Sequence, residues 1–249
     1  MRFLNKLLLA SIPLAALAAC GGGDTEDRLD VADPAVRFVH AAPIAPAVTL
    51  YRAATAQPDA TNSVYGFASD YFDVDMGAAD WSVKTSSAAV SVGSVNIDPQ
   101  RGTKYTIVAL TTSATTNGAY LIIDPYNKPL TSDSAHLRVM NASFNAGSVD
   151  VYVNAPGTDI TTVSPRIAAT AFNTAGPASG ADSVDIPGGT YQVTVTTAGT
   201  KTVLFKGQLG FSSNKDVLLL TVPDTLLPNS IKLRAKIQGT AGSTEVPAS

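Results

Sequence analysis

The chain has one cysteine, one tryptophan and two histidines among 249 residues, and only 15% of it is charged. A single cysteine, Cys20, excludes an internal disulfide, so whatever folds here is held by packing. Two histidines, His40 and His136, leave little for a histidine-based triad, and no serine sits in a Gly-x-Ser-x-Gly elbow. Long helix formers are scarce, while Thr, Ser, Val and Ala are abundant, a bias toward β structure. With 45% hydrophobic residues the chain is nevertheless globular in composition rather than disordered.

What is present is a repeat. Val36-Arg37-Phe38-Val39-His40-Ala41, leading to Val48-Thr49-Leu50-Tyr51, returns as Leu137-Arg138-Val139-Met140-Asn141-Ala142, leading to Val149-Asp150-Val151-Tyr152. Arg37 pairs with Arg138 and Tyr51 with Tyr152 at the same offset, without a gap. This predicts two tandem copies of one β domain, over 34–130 and 131–238, followed by a flexible tail over 239–249.

The first nineteen residues read as a signal peptide. Arg2 and Lys6 form a basic start, Leu7 to Leu17 an apolar stretch, and Leu17-Ala18-Ala19-Cys20 a small-residue cleavage site. This ending resembles the lipobox of bacterial lipoproteins, which implies lipidation of Cys20 and attachment to a membrane through that lipid. An uncleaved anchor and an unlipidated exported protein are the alternatives; the apolar stretch is short of the ~20 residues that span a bilayer. Gly21 after the cysteine, where Asp commonly holds such lipoproteins at the inner membrane, suggests the outer membrane, on either its periplasmic or its surface face. Residues 20–33 then make an acidic Gly-rich tether, with a reach of ~20 Å if it behaves as flexible coil. Removal of residues 1–19 leaves 15 basic against 20 acidic residues, which argues against a nucleic-acid partner.

Within each copy, alternation and turn residues mark short strands. Val36, Phe38 and His40 share one face of the opening strand, and Arg37, Val39 and Ala41 the other. Trp81-Ser82-Val83-Lys84 follows a turn at Met76–Asp80, and Tyr105–Leu110 follows another at Asp98–Gly102. In the second copy Asp185-Ile186-Pro187-Gly188-Gly189 leads to Tyr191, Val193 and Val195 facing a core, with Gln192, Thr194 and Thr196 facing solvent. Ser164–Ala178 is expected to hold a short helix or a bulged strand pair. Ile231, Leu233, Ala235 and Ile237 alternate with Lys232, Arg234 and Lys236, a basic face expected to blunt a sheet edge.

The Arg-apolar-apolar-His/Asn-Ala opening, the Val-x-Val/Leu-Tyr strand and the Gly-Gly-x-aromatic-x-Val hairpin together resemble the bacterial domain-of-unknown-function family numbered 4397 (DUF4397). The resemblance implies Ig-like antiparallel β-sandwiches of exported and envelope proteins, often in tandem. It implies no active site. The first copy departs from it with Gly77-Ala78-Ala79-Asp80 in place of Gly188-Gly189.

Candidate chemistry is thin. His40 aligns with Asn141, and the shared requirement is a polar side chain that bonds backbone at the following bend. Asp70, Asp73 and Asp75 have oxygen ligands suited to Ca²⁺, but Met76 interrupts the calcium-loop spacing, and a solvated polar face is the reading preferred. Tyr65, Phe67, Tyr71 and Phe72 are either a sugar platform or, as preferred, core. The expectation is a non-catalytic, cofactor-free structural or adhesive module of the cell envelope with a protein or glycan partner. The alternative is a periplasm-facing lipoprotein that binds carbohydrate or another small ligand. No oligomeric state is implied.

Overall fold

The computed structural model describes residues 33–125, 132–227 and 230–249. The expected signal peptide, Cys20, nearly all of the expected tether and the boundary between the expected copies lie outside these residues. What is described is built of strands, joined by two single-turn 3-10 segments.

The first unit contains β1 (Ala35–Ala41), β2 (Val48–Arg52), β3 (Thr55–Ala56), β4 (Phe72–Asp73), β5 (Ala79–Thr85), β6 (Ser91–Ile97), β7 (Thr103–Thr111) and β8 (Asn117–Pro125). They form two four-stranded sheets, β4-β1-β7-β8 and β3-β2-β5-β6. Val36, Phe38, Leu50, Trp81, Val83 and Ile107 fill the space between them. The second unit contains β9 (Ser134–Asn141), β10 (Val149–Asn154), β11 (Ile167–Thr170), β12 (Thr174–Gly176), β13 (Val184–Pro187), β14 (Gly189–Thr197), β15 (Val203–Phe211), β16 (Asp216–Pro223), β17 (Ile231–Ile237) and β18 (Thr244–Glu245). Its sheets are β12-β9-β16-β17-β18, with β13 also on β9, and β11-β10-β14-β15. Leu137, Val139, Val151, Val193, Val195 and Leu219 form its core.

Both units follow one path. β1 lies parallel to β7 and β9 parallel to β16, whereas the other pairings are antiparallel. The β1 and β9 sheets are therefore mixed, while β3-β2-β5-β6 and β11-β10-β14-β15 are antiparallel throughout, as expected of antiparallel sandwiches. The parallel pair sits at the centre of its sheet, and central parallel strands are normally covered on both faces.

That cover is a third core. Val39, Ala41, Val108, Leu110 and Ile122 from the first unit pack against Met140, Ala142, Leu218, Leu220 and Val222 from the second. The β1 sheet and the β9 sheet thus lie face to face, and the molecule has four sheet layers. The Arg37, Val39 and Ala41 face of β1 is as buried as the Val36, Phe38 and His40 face.

Of the two alternatives for Ser164–Ala178, strands rather than a helix form: β11 joins one sheet, with a register shift against β10, and β12 the other. Two other expectations are corrected. Gln192, Thr194 and Thr196 are buried, and residues 155–163 cover part of that face, where Gly157 N donates to Gln192 Oε1 at 3.3 Å. Lys201 Nζ holds this cover down through Tyr152 Oη at 2.9 Å and the Ile160 and Val163 carbonyls at 2.6 and 3.0 Å. Tyr191 is not the counterpart of Trp81, since the ladders place Trp81 opposite Arg52 and Val193 opposite Val153.

Residues 239–249, expected to be a flexible tail, are packed. Val246 is 3% exposed inside the second core, β18 pairs with β17, and Ala248 bridges to Gly207. One apolar side chain and a short ladder suffice to fix so short a segment, and neither is conspicuous in sequence.

Candidate functional site at the seam

The repeated arginines meet the seam from opposite sides. Each stands in the middle of its opening strand with its guanidinium on the face turned to the other unit, and each is 4% exposed. Arg37 donates from Nε and Nη2 to Thr106 Oγ1 on β7 at 3.3 and 3.1 Å, and its guanidinium lies 4.5 Å from the Tyr71 ring centroid. Lys104 Nζ is 4.6 Å from the same ring, and Tyr71 Oη is 3.2 Å from Thr106 Oγ1. Burial pushes the Tyr71 phenol up to about 12, so it remains a neutral hydrogen-bonding group. Arg138 donates from Nη1 to the Pro177 and Ala178 carbonyls at 2.6 and 3.0 Å, and from Nη2 to the Ala181 carbonyl. It also pairs across the seam with Asp124 of β8 at 3.5 Å.

These groups, with Asp216 and His136, surround a cavity of only about 10 Å³. That is room for about one water molecule. So small a cavity leaves no space for a substrate.

The rest of the seam is built by exchange of loops. Gly180 N donates to the Ile123 carbonyl and Ile123 N to Ser179 Oγ, both at 2.8 Å, so a loop of the second unit covers the edge of β8. In return, residues 65–70 of the first unit meet β17. Lys236 Nζ pairs with Asp70 at 2.8 Å, Arg234 lies 4.9 Å from the Tyr65 ring centroid, and Ser243 donates from N and Oγ to the Gly66 carbonyl, both at 2.9 Å. The basic face of β17 therefore does not blunt an edge. Lys236 and Arg234 bind the first unit, Lys236 being 1% exposed, while Lys232 pairs with Glu245 of β18. Burial lowers the Lys236 ammonium, against the pull of Asp70. Burial raises the Asp70 carboxyl, but its hydrogen bond to Lys236 and the charges around it outweigh that and hold it below the ordinary carboxylate range.

The candidate site residues are dispersed accordingly. Asp70 is drawn to Lys236, while Asp73 and Asp75 line an open polar pocket of about 390 Å³ with Asp33, Arg52 and Arg101. Arg52 Nη2 donates to the Asp75 and Gly77 carbonyls at 2.7 and 3.1 Å. Guanidinium groups thus stand among these carboxylates. Among the described residues no three His, Cys, Asp or Glu side chains are grouped to hold a metal. Of the aromatics, Phe67 and Phe72 pack on the first core, Tyr71 lies under Arg37, and Tyr65 is at the seam. They form no platform.

His136, set aside in the sequence as the start of a strand, has a partner that spacing did not reveal. Its Nδ1 is 2.6 Å from Asp185 Oδ1, because β13 places the two directly opposite on the ladder.

At one end the seam opens. Ile44, Ala114, Phe144, Asn145, Pro223 and Asp224 line a mainly apolar notch of about 330 Å³, shared by loops of both units. These loops follow β1, β7, β9 and β16, whereas Asp33 precedes β1 at the opposite end. Leu226 and Leu227, just beyond Thr225, are 79% and 59% exposed.

Over the described residues the chain is an all-β assembly of layered sandwiches, and that is the class its fold defines. More particularly, residues 34–152 match the family model described as a domain of unknown function, DUF4397. The matched span takes in the first sandwich and continues through β9 and β10 to Tyr152, so both copies of the opening motif lie within it. No curated protein matches the chain.

Proposed function

We propose that the protein is a non-catalytic module of the bacterial cell envelope, made of two tandem copies of the DUF4397 domain and held at the outer membrane by a lipid on Cys20. Its task is contact with a protein or glycan partner. The observation that carries this reading is the third core, which joins the two sandwiches into one body and buries the motif arginines in the joint. A motif spent on joining domains supports a structural role. The loops that close the far end, around Ile44, Phe144 and Pro223, are then the surface held away from the tether. An exposed apolar patch such as Leu226 and Leu227 commonly marks an interaction site.

Protease shaving of cells carrying a C-terminal epitope tests location and partner class together. Loss of the epitope on intact cells supports a surface adhesive module, and protection until the outer membrane is permeabilised points to a periplasmic one. Recovery of the protein in the soluble fraction with unmodified Cys20 overturns the anchoring. The second reading, carbohydrate or small-ligand binding, draws on the notch itself. A thermal-shift screen against envelope glycans tests it, since a ligand of the folded state raises Tm.

A further inference from the structure

The two sandwiches close one side differently. In the first, Gly93 of β6 lies against the backbone of β8: a Cβ there would come within 2.5 Å of the Ala119 nitrogen. The corresponding strands of the second are β15 and β17, and here the close approach at glycine is made by another segment. A Cβ on Gly207 of β15 would collide with the Pro247 carbonyl oxygen. Residues 244–249 are thus threaded between β15 and β17. They pair with β17 at Arg234↔Glu245 and Ala235↔Thr244, and Val246 N donates to the Leu233 carbonyl at 2.8 Å. On the other side Ala248 bridges to Gly207, and Ser249 N donates to the Lys206 carbonyl at 2.9 Å. Beside the segment an open cavity of about 370 Å³ remains, lined by Val203, Phe205, Leu227 and Ile231 among others.

We infer that the slot between β15 and β17 is a strand-acceptor site, and that a second copy of this chain can supply the strand, with the two copies exchanging residues 244–249. The slot is shaped for this segment: Gly207 leaves room for the Pro247 carbonyl, and Val246 fills a place in the core. A second copy carries the same side chains, and Glu245, which pairs with Lys232 at 3.2 Å within the chain, would set the same register after exchange. The connection between β17 and β18 has the character of a hinge. Gly239 and Gly242 have φ of +80° and +63°, Thr240 and Ala241 are exposed, and the turn is held by hydrogen bonds of Thr240 and Ser243. Exchange of an identical element through such a hinge is a low-cost route to a dimer, and strand addition to a sheet edge is a general recognition mode.

The test uses the full chain with Cys20→Ser, so that its outcome is independent of anchoring. One preparation carries Val246→Asp, which disables the strand, and the other Gly207→Val, which blocks the slot. Only the strand of the second fits the slot of the first. Mixing them is expected to give a 1:1 heterodimer of doubled mass by light scattering, with neither dimerising alone. Two unchanged monomer peaks overturn the inference. Because both substitutions strain the second sandwich, a chain lacking Thr240–Gly242 provides an independent arm with slot and strand intact. Its shortened hinge is expected to give a dimer, and a monomer with the parent Tm overturns the inference as well.

Discussion

His40 and Asn141 do the same work with different chemistry. His40 Nδ1 accepts a hydrogen bond from Ala42 N at 3.3 Å, and Asn141 Oδ1 accepts one from Ser143 N at 3.2 Å. Each side chain then donates to a carbonyl six residues ahead, His40 Nε2 to Pro46 at 3.2 Å and Asn141 Nδ2 to Gly147 at 2.6 Å. The bend after each opening strand is thereby closed by a buried polar side chain. The aligned positions in the sequence pointed to this role, and the bonds bear it out.

The difference between them predicts a pH effect. Accepting at Nδ1 requires His40 to be neutral, and burial lowers its pKa below the ordinary 6.5. Above pH ~6.5 neither the folded nor the unfolded chain protonates this ring, so it contributes no slope. As pH falls below that value the unfolded chain takes up a proton that the folded chain resists, and stability falls until the lowered folded value is reached. His40→Asn, which installs the group used at the second bend, is expected to flatten the slope of denaturant-derived stability as pH falls below ~6.5. An unchanged slope would assign it to other groups.

Arg138 and Asp124 predict a non-additive pair. Arg138→Met leaves Asp124, whose side chain is 13% exposed, without its cation. It also strips the donors from three carbonyls. Loss of one partner of a buried ion pair costs about 3–5 kcal/mol. Adding Asp124→Leu is expected to restore part of that loss, which a double-mutant cycle by urea denaturation measures.

In the second ion pair across the seam, Asp70 is 59% exposed and Lys236 is 1% exposed. Because Asp70 is held below its ordinary 3.8, its contribution is complete above that value and is lost as pH falls through the lower folded value. Solvent screening keeps the contribution modest, so Asp70→Asn is expected to cost about 1 kcal/mol at neutral pH. The signature is that wild type and variant converge in acid-denaturation curves as pH falls through the lowered folded value of Asp70.

Much of the strand layout was legible, because it rests on local rules. Trp81–Lys84, Tyr105–Leu110 and Tyr120–Ile123 lie inside β5, β7 and β8, and β8 ends at Pro125. What escaped was set by contact between units. A polar residue such as Arg37 marks a strand face as outward, and nothing local tells whether water or another sheet lies beyond it. The uninterrupted run Val217–Leu220 was the available signal, since a strand apolar on both faces is one covered on both faces. Lys236 misled for the same reason: alternation placed it on an outer face, and only the fold of residues 65–70 supplied Asp70. The Asp70, Asp73 and Asp75 cluster was close in sequence, yet its members diverge after Asp70, which the seam captures.

Leu218, Leu219 and Leu220 separate the two kinds of core within one strand. Leu219 points into the second sandwich, while Leu218 and Leu220 point into the seam. Truncating any of them to alanine costs about 2–5 kcal/mol, so the size of the loss does not distinguish them. Its form does. Leu219→Ala weakens the second sandwich itself and lowers its melting directly. Leu218→Ala with Leu220→Ala leaves both inner cores intact and removes the contacts that couple them, so the sandwiches should then melt independently. Calorimetry is expected to show one transition for wild type and for Leu219→Ala, and two for the seam double variant. A single transition in all three would mean that the polar contacts of Arg138, Asp70 and Ser243 are enough to keep the two sandwiches cooperative.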